Sequence, residues 1–286
     1  MILVTGSTGN VGSKLLIELR ARKVAVRALA RKAEDVARLK AQGVDAVLGD
    51  IGDRESIRAA LQGVSHFYIL TPSTPQLAET EGMFVNEAKK AGVQHIVKHS
   101  VLGADVTAIC PFTSIHAQAE ETIRASGIPY TFLRLNSFMQ NFVSSHARSI
   151  VAQDTFYEAL ADARVSHVDT RDIAIAAARV LTEAGHEGRA YDITGPEALT
   201  DTQLAEKLSA LLNKQITYTP VPDEAMRQGL QAAGLTDWYA NSLVKLYQFY
   251  RQGGGAPVTP DLERLIGQKP RTMDAYLQEN KAAFKG

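Results

Sequence analysis

Apolar and polar positions alternate along the first half of the chain in a repeating strand-then-helix rhythm. Short runs rich in Val, Ile, Leu and Ala predict strands at 2–5, 24–30, 46–48, 66–70, 95–99 and 130–133. Between them lie helical patterns: one opening after the first strand, then 33–42 closed by Gly43, 54–61 stopped by Gly63, 83–90 ending at Gly92, and 116–124 stopped by Ser126-Gly127. This alternation predicts βαβ units on a parallel sheet with helices on both faces, a doubly wound Rossmann α/β fold, as far as about Arg148. Beyond it the rhythm loosens. Asp169-Thr170-Arg171-Asp172 reads as a capped start for a helix over 173–181, Ala190 to Ile193 as a strand, and 204–212, 225–233 and 243–250 as helices. Gly253-Gly254-Gly255 breaks the chain before a helical tail. The organisation expected is a nucleotide-binding Rossmann domain over 1–150 and a smaller, mostly helical substrate lobe over 151–286, interleaved with the sheet and not folding alone.

The first apolar run leads straight into Gly6-Ser7-Thr8-Gly9-Asn10-Val11-Gly12, which opens a helix. Glycines spaced G-x-x-G-x-x-G between a strand and a helix suit a dinucleotide pyrophosphate. Gly6 allows the tight turn, Gly9 lets the backbone approach the phosphates, and Gly12 lets the helix pack closely. The helix amino terminus adds unpaired N–H groups and the positive end of its dipole. An ordinary glycine-rich βα turn is the competing interpretation, and the strand-before, helix-after setting favours the nucleotide. All seven residues of this turn are candidate cofactor ligands.

Charge and cysteine content narrow the field. In 286 residues, 31 Lys plus Arg balance 31 Asp plus Glu, so the overall field recruits neither nucleic acid nor an anionic membrane. Cys110 is the single cysteine, which precludes an intramolecular disulfide and suggests an idle buried thiol. A strand beginning near Met1 and the lack of a long apolar run lead to the expectation of a cytoplasmic protein without membrane association, monomeric or homodimeric. Seven scattered histidines have no ligand spacing, so no metal is expected.

The second strand runs into Ala28-Leu29-Ala30-Arg31-Lys32. NAD sites usually carry Asp or Glu there, to bond the ribose hydroxyls. Two cations stand in its place. A guanidinium can bond a ribose 2′-phosphate through two parallel hydrogen bonds and stack on adenine, so Arg31 with Lys32 points to NADP(H). A solvated helix start is the alternative for this pair. Asp50 with Ile51 follows the third strand, Thr71 with Pro72 the fourth, and Ser100 the fifth. These strand ends are expected to frame the cofactor, although turn or cap chemistry would also account for each.

Taken together, Val4 to Gly12, Ala30-Arg31-Lys32, Gly49-Asp50, Lys98-His99-Ser100, Leu133 to Asn141 and Val168 to Ile173 resemble the NmrA-like branch of atypical short-chain dehydrogenases, over nearly the whole chain. That resemblance implies NADPH-dependent quinone reductases, triphenylmethane reductases or flavin-free azoreductases as the nearest activities, or a dinucleotide-sensing regulator without catalysis. Typical short-chain dehydrogenases place a catalytic Tyr four residues before a Lys. Here the matching helix reads His116-Ala117-Gln118-Ala119-Glu120, so phenolate-driven alcohol oxidation is not expected. An H-x-x-x-E pattern at this place is similar to the dye and quinone reductases.

With no strong acid or base in view, the accessible reaction is hydride donation to an electron-poor conjugated acceptor held against the nicotinamide. An azo dye or a quinone, a small aromatic molecule in either case, is the expected acceptor, with neither flavin nor metal. His116 is a candidate proton donor or acceptor ligand with a pKa near neutrality, or else simply pairs with Glu120 one turn on. Ser100 is the second catalytic candidate. Asn136, Phe138, Met139 and Phe142 offer a wall for the acceptor; Phe138 and Phe142 share a helix face, which packs on the core by default. Trp238 is a further wall candidate, together with Phe112, Phe156 and Tyr239. The tail helix bearing Tyr247, Phe249 and Tyr250 suits either a cover or an oligomer contact. The chief rival to a reductase is an NADP(H)-binding redox sensor; a flavoprotein quinone reductase is a third possibility.

Overall fold

The structure, a computed structural model, describes residues 1–285. Seven strands form one sheet: β1 (Ile2–Val4), β2 (Val26–Ala30), β3 (Asp45–Leu48), β4 (His66–Ile69), β5 (His95–Val101), β6 (Tyr130–Leu135) and β8 (Arg189–Ile193). Their order is β3-β2-β1-β4-β5-β6-β8, and the pairs β2–β3, β1–β2, β1–β4 and β4–β5 are parallel. The order reverses at β1, where the chain leaves one half of the sheet to build the other. That is the crevice at which doubly wound sheets bind ligands. The expected α/β Rossmann architecture is the observed one.

Helices α1 (Gly12–Ala21), α2 (Ala33–Ala41), α3 (Arg54–Ala60), α4 (Leu77–Ala91) and α5 (Pro111–Ser126) connect the first six strands. Proline opens α5, where its missing N–H costs nothing, and Asp53 caps α3 by accepting from the Glu55 and Ser56 N–H groups. One apolar core joins Leu3, Phe67, Ile69 and Ile96 of the strands to Ile57, Phe84, Val85 and Ile123 of the helices. α4 begins six residues before the expected Met83, because polar Glu79, Thr80 and Glu81 mask the helical period that buried Leu77 starts.

The chain divides into two compact units that do not follow a cut at residue 150. The first comprises 1–107, 113–134 and 170–192; the second comprises 108–112, 135–169 and 193–286. Helix α7 (Thr170–Thr182) belongs to the first because it packs along α1, its Ala-rich buried face permitting close approach. The second holds α6 (Met139–Gln153), α8 (Asp201–Leu212), α9 (Asp223–Ala232), α10 (Asp237–Arg251), α11 (Asp261–Ile266) and α12 (Met273–Glu279), and a small parallel pair, β7 (Thr155–Glu158) with β9 (Thr217–Pro220), against which α6 and α8 pack. Thr200 and Gln203 form a capping box at the start of α8. The four-residue strands escape the sequence pattern because each is short and pairs only with the other, about sixty residues away. Met139, Phe142, Ile150, Phe156, Leu204, Leu208 and Phe284 make the core of this unit. Among the described residues, no helix is long and apolar enough to cross a membrane, and no group of three His, Cys, Asp or Glu is placed to hold a metal ion.

Candidate functional site

The glycine turn is held from three sides in the first unit. Thr5 Oγ1 accepts from the Leu70 N–H at 2.9 Å, Ser7 Oγ donates to the Leu29 carbonyl at 2.7 Å, and the Gly9 N–H reaches the Gly6 carbonyl at 3.0 Å. Gly6 has φ +61°, and a Cβ there would lie 2.3 Å from Leu70 Cδ2. At Gly12 a Cβ would meet the Gly6 carbonyl oxygen at 2.1 Å, so this glycine packs the helix onto the turn itself rather than onto the strand. A Cβ at Gly9 meets only that same oxygen, at 3.3 Å, and Thr8, Gly9 and Asn10 are exposed. Val11 caps α1 without a side-chain hydrogen bond, and the first turn carries no acidic residue. An exposed, uncapped helix start beside a tight glycine turn is a fit for an anion such as a pyrophosphate. Ser7 enters only through its backbone, its hydroxyl being committed to β2.

Arg31 and Lys32 leave the end of β2 side by side and exposed, but they differ. Lys32 lies 3.6 Å from Glu34, whereas Arg31 has no ion-pair partner among the described residues. Asp50 Oδ1 accepts from the Gly52 N–H at 2.7 Å in a local turn, which leaves its exposed carboxylate only partly committed. Ile51 packs partly against the apolar core. Thr71 is nearly buried and donates to Glu81 Oε1 at 2.6 Å, while Pro72 is exposed.

Ser100 and His116 stand differently from the expectation drawn from their residue types. Ser100 is fully buried and donates to Glu120 Oε1 at 2.7 Å. Glu120 is also fully buried and accepts from Arg134 at 3.0 and 2.6 Å and from Arg124 at 3.1 Å. The Ser100 hydroxyl is therefore part of a closed ionic network. With Glu120 engaged in this way, His116 does not pair with it. The imidazole is 3% exposed; its Nε2 lies 3.4 Å from Ser73 Oγ, and its Nδ1 has no hydrogen-bond partner among the described residues. Burial, with Lys98 and His99 adding like charge, pushes its pKa well below the ordinary range. The expectation of a near-neutral pKa is corrected on this point: His116 is an uncharged ring at neutral pH, equipped for hydrogen bonding and not for delivering a proton as imidazolium.

In the second unit, Asn136 is 3% exposed and its amide donates to Ser166 Oγ and to the Gly255 carbonyl, both at 2.8 Å. It fastens two distant segments together rather than offering its amide to a ligand. Asn136→Ala is expected to cost about 1–3 kcal/mol in denaturant melts, since the Gly255 carbonyl loses its partner. Met139 and Phe142 are buried in the core of this unit, Phe142 edge-on to Phe156 at 5.2 Å, so they anchor α6 and do not present a wall. Phe156 is likewise core. Phe138 and Trp238 are half-buried, and Trp238 and Tyr239 flank Phe112 at 5.5 and 5.3 Å between ring centroids.

One polar group of the first unit lay outside the expected set. Lys98, on β5 and fully buried, donates to Glu81 Oε2 at 2.5 Å, and Glu81 in turn accepts from Thr71. Beside them the Tyr68 hydroxyl and His99 Nδ1 are 2.9 Å apart. Its signal in the chain was a lysine inside the apolar run Ile96-Val97-Lys98, heading the Lys98-His99-Ser100 segment that carries part of the resemblance.

Strand order and glycine turn together place the chain in the class of doubly wound α/β proteins. Within that class the chain belongs to the NmrA-like family, whose profile matches residues 1–277. It is 32% identical to the NAD(P)H azoreductase of Xenophilus azovorans over 284 residues, 99% of each chain. It is 34% identical to a (4-alkanoyl-5-oxo-2,5-dihydrofuran-3-yl)methyl phosphate reductase of Streptomyces griseus, again over 99% of each. Among solved structures, the NADPH-dependent quinone oxidoreductase QOR2 of Escherichia coli, complexed with NADPH, superposes with a TM-score of 0.90 at 32% identity, covering 99% of this chain and 100% of that one.

Proposed function

We propose that this protein is an NADPH-dependent, flavin-free oxidoreductase that reduces conjugated aromatic acceptors of the azo or quinone type. The observation that carries the reading is Arg31, exposed and without an ion-pair partner among the described residues where β2 ends without a carboxylate, together with the uncapped start of α1. The turn from Gly6 to Gly12 would hold the pyrophosphate, Arg31 the 2′-phosphate with Lys32 as a weaker neighbour, and Asp50 with Ile51 the adenosine side. Thr71 and Pro72 lie at the end of β4, where the chain turns away from the crevice. The azoreductase and the quinone oxidoreductase named above support a nicotinamide-linked reduction, and with the furanone phosphate reductase they differ in acceptor.

When bound, the reduced nicotinamide supplies a hydride. A quinone or azo group takes that hydride and one proton, giving the hydroquinone or hydrazo product and the oxidised nucleotide. The residues present suit such acceptors because these need no strong acid. Ser100 is committed to Glu120, and His116 is held neutral, so the proton comes from solvent while His116 offers a hydrogen bond. Phe138 and Trp238 retain the half-exposed aromatic surface suited to a planar molecule, Trp238 backed by the buried Phe112 ring.

Purified protein is expected to be colourless and to oxidise NADPH only when a quinone or azo dye is added, with NADH a poorer donor. Tight NADPH binding with no acceptor-dependent oxidation would replace this reading with the redox sensor. A requirement for added flavin would replace it with a flavoenzyme.

A further inference from the structure

Buried lysine–glutamate pairs are poor investments in stability, since desolvating both charges cancels most of their attraction. Lys98 and Glu81 are both fully buried, and the pair sits among polar groups rather than alone. Glu81 spends one carboxylate oxygen on Lys98 at 2.5 Å and the other on the Thr71 hydroxyl at 2.6 Å, which fixes Thr71 directly after β4. Two residues on, Ser73 Oγ lies 3.4 Å from His116 Nε2. On the other side of that ring, Nδ1 is buried with no partner among the described residues. An orphaned, desolvated ring nitrogen is costly unless a bound molecule completes it.

We propose that the Lys98–Glu81 pair is a positioning device for His116 and Thr71, fixing both at the β4 and β5 side of the crevice so that His116 Nδ1 takes a polar group of the bound nucleotide or acceptor as a hydrogen-bond partner. This rests on the reductase reading above. The charged and titratable groups around the imidazole are Lys98 and His99 from β5, Tyr68 of β4 through its bond to His99, and Glu81 of α4 through Lys98. Glu120, on the same helix, is turned to Ser100 and the two arginines. Burial opposes a charge on His116, and the positive charge of Lys98 adds to that opposition. A protonated His116 would lose its acceptor nitrogen, so the pair preserves one donor and one acceptor on the ring.

The test uses the full chain without nucleotide and follows the His116 imidazole by NMR through a pH titration. Lys98→Met together with Glu81→Gln removes both charges, and the glutamine carbonyl can still accept from Thr71. The expected result is an upward shift of the His116 titration relative to the unmodified protein. An unchanged titration in a folded double variant overturns the proposal. Lys98→Met alone strands a buried carboxylate, so a failure of that single variant to fold is read against the double variant. NADPH titrated by NMR into the unmodified protein is expected to perturb the His116 ring resonances. Binding seen by calorimetry without any change at that ring, both with NADPH alone and with the oxidised nucleotide plus a quinone, overturns the ligand half of the proposal. Absence of any binding defeats the reductase reading itself, a result separate from the nucleotide-free titration.

Discussion

Replacing Arg31 with alanine is expected to lower kcat/KM for NADPH by about 30-fold and to leave the value for NADH nearly unchanged. Charge-assisted hydrogen bonds are each worth about 1.5–3 kcal/mol, and about 2 kcal/mol corresponds to that factor. Among the described residues Arg31 has no competing ion pair to release when a phosphate arrives. Lys32 is a built-in control. Its ammonium leans toward Glu34 and both side chains are largely exposed, so Lys32→Ala is expected to change the preference by less than about threefold. Equal losses with NADPH and NADH on removing Arg31 would show that the residue supports the turn and does not read the 2′-phosphate.

The second large effect concerns stability. Asp201 opens α8 at 4% exposure, and its Oδ2 has no hydrogen-bond partner among the described residues. Burial, followed by the nearby Glu158 carboxylate, pushes its pKa up from 3.8 to about 8. At neutral pH the folded protein keeps this carboxyl protonated, whereas the unfolded chain ionises it. Unfolding therefore releases a proton, and stability falls as pH rises from about 4 toward 8. Asp201→Asn has no proton to release. It is expected to raise stability on the order of 2–4 kcal/mol at pH 7 to 8, and to match the unmodified protein near pH 4. His95 and His167 act in the opposite sense, their pKa values held down at about 4 by burial. Their contribution is complete above about 6.5 and is lost as pH falls toward 4. Chemical denaturation at pH 7 and at pH 8 thus isolates Asp201, and parallel pH profiles for the two proteins would refute the assignment.

The first half of the fold was legible because each strand is a compact apolar run closed by a glycine or a polar pair, and each connection is short. The glycine turn was legible for the same reason: Gly6, by its left-handed φ, and Gly12, by its contact with the Gly6 carbonyl, report backbone requirements that no other residue type meets. Side-chain roles were less readable. Ser100 and Asn136 have the composition of ligand residues, yet each is bonded to groups at least twenty positions away that spacing cannot reveal. Met139 and Phe142 belong to a helical stripe whose periodicity says only that one face is apolar, and their partners, such as Phe156 and Phe284, come from remote segments. Lys98 was hidden because a strand pattern counts apolar residues, while the buried acid that accommodates it lies on another helix.

The boundary between the two units carries a consequence for how this chain can be made. Residues 170–192 return to complete the amino-terminal unit, with α7 lying along α1 and β8 finishing the edge beyond β6. A ribosome must therefore deliver some 190 residues before the amino-terminal unit is whole, and until then the side of α1 that packs on α7 lacks its cover. Fragments ending near residue 150 are for the same reason poor material for isolating that half. A permuted chain that keeps 170–192 joined to the early strands is the better design.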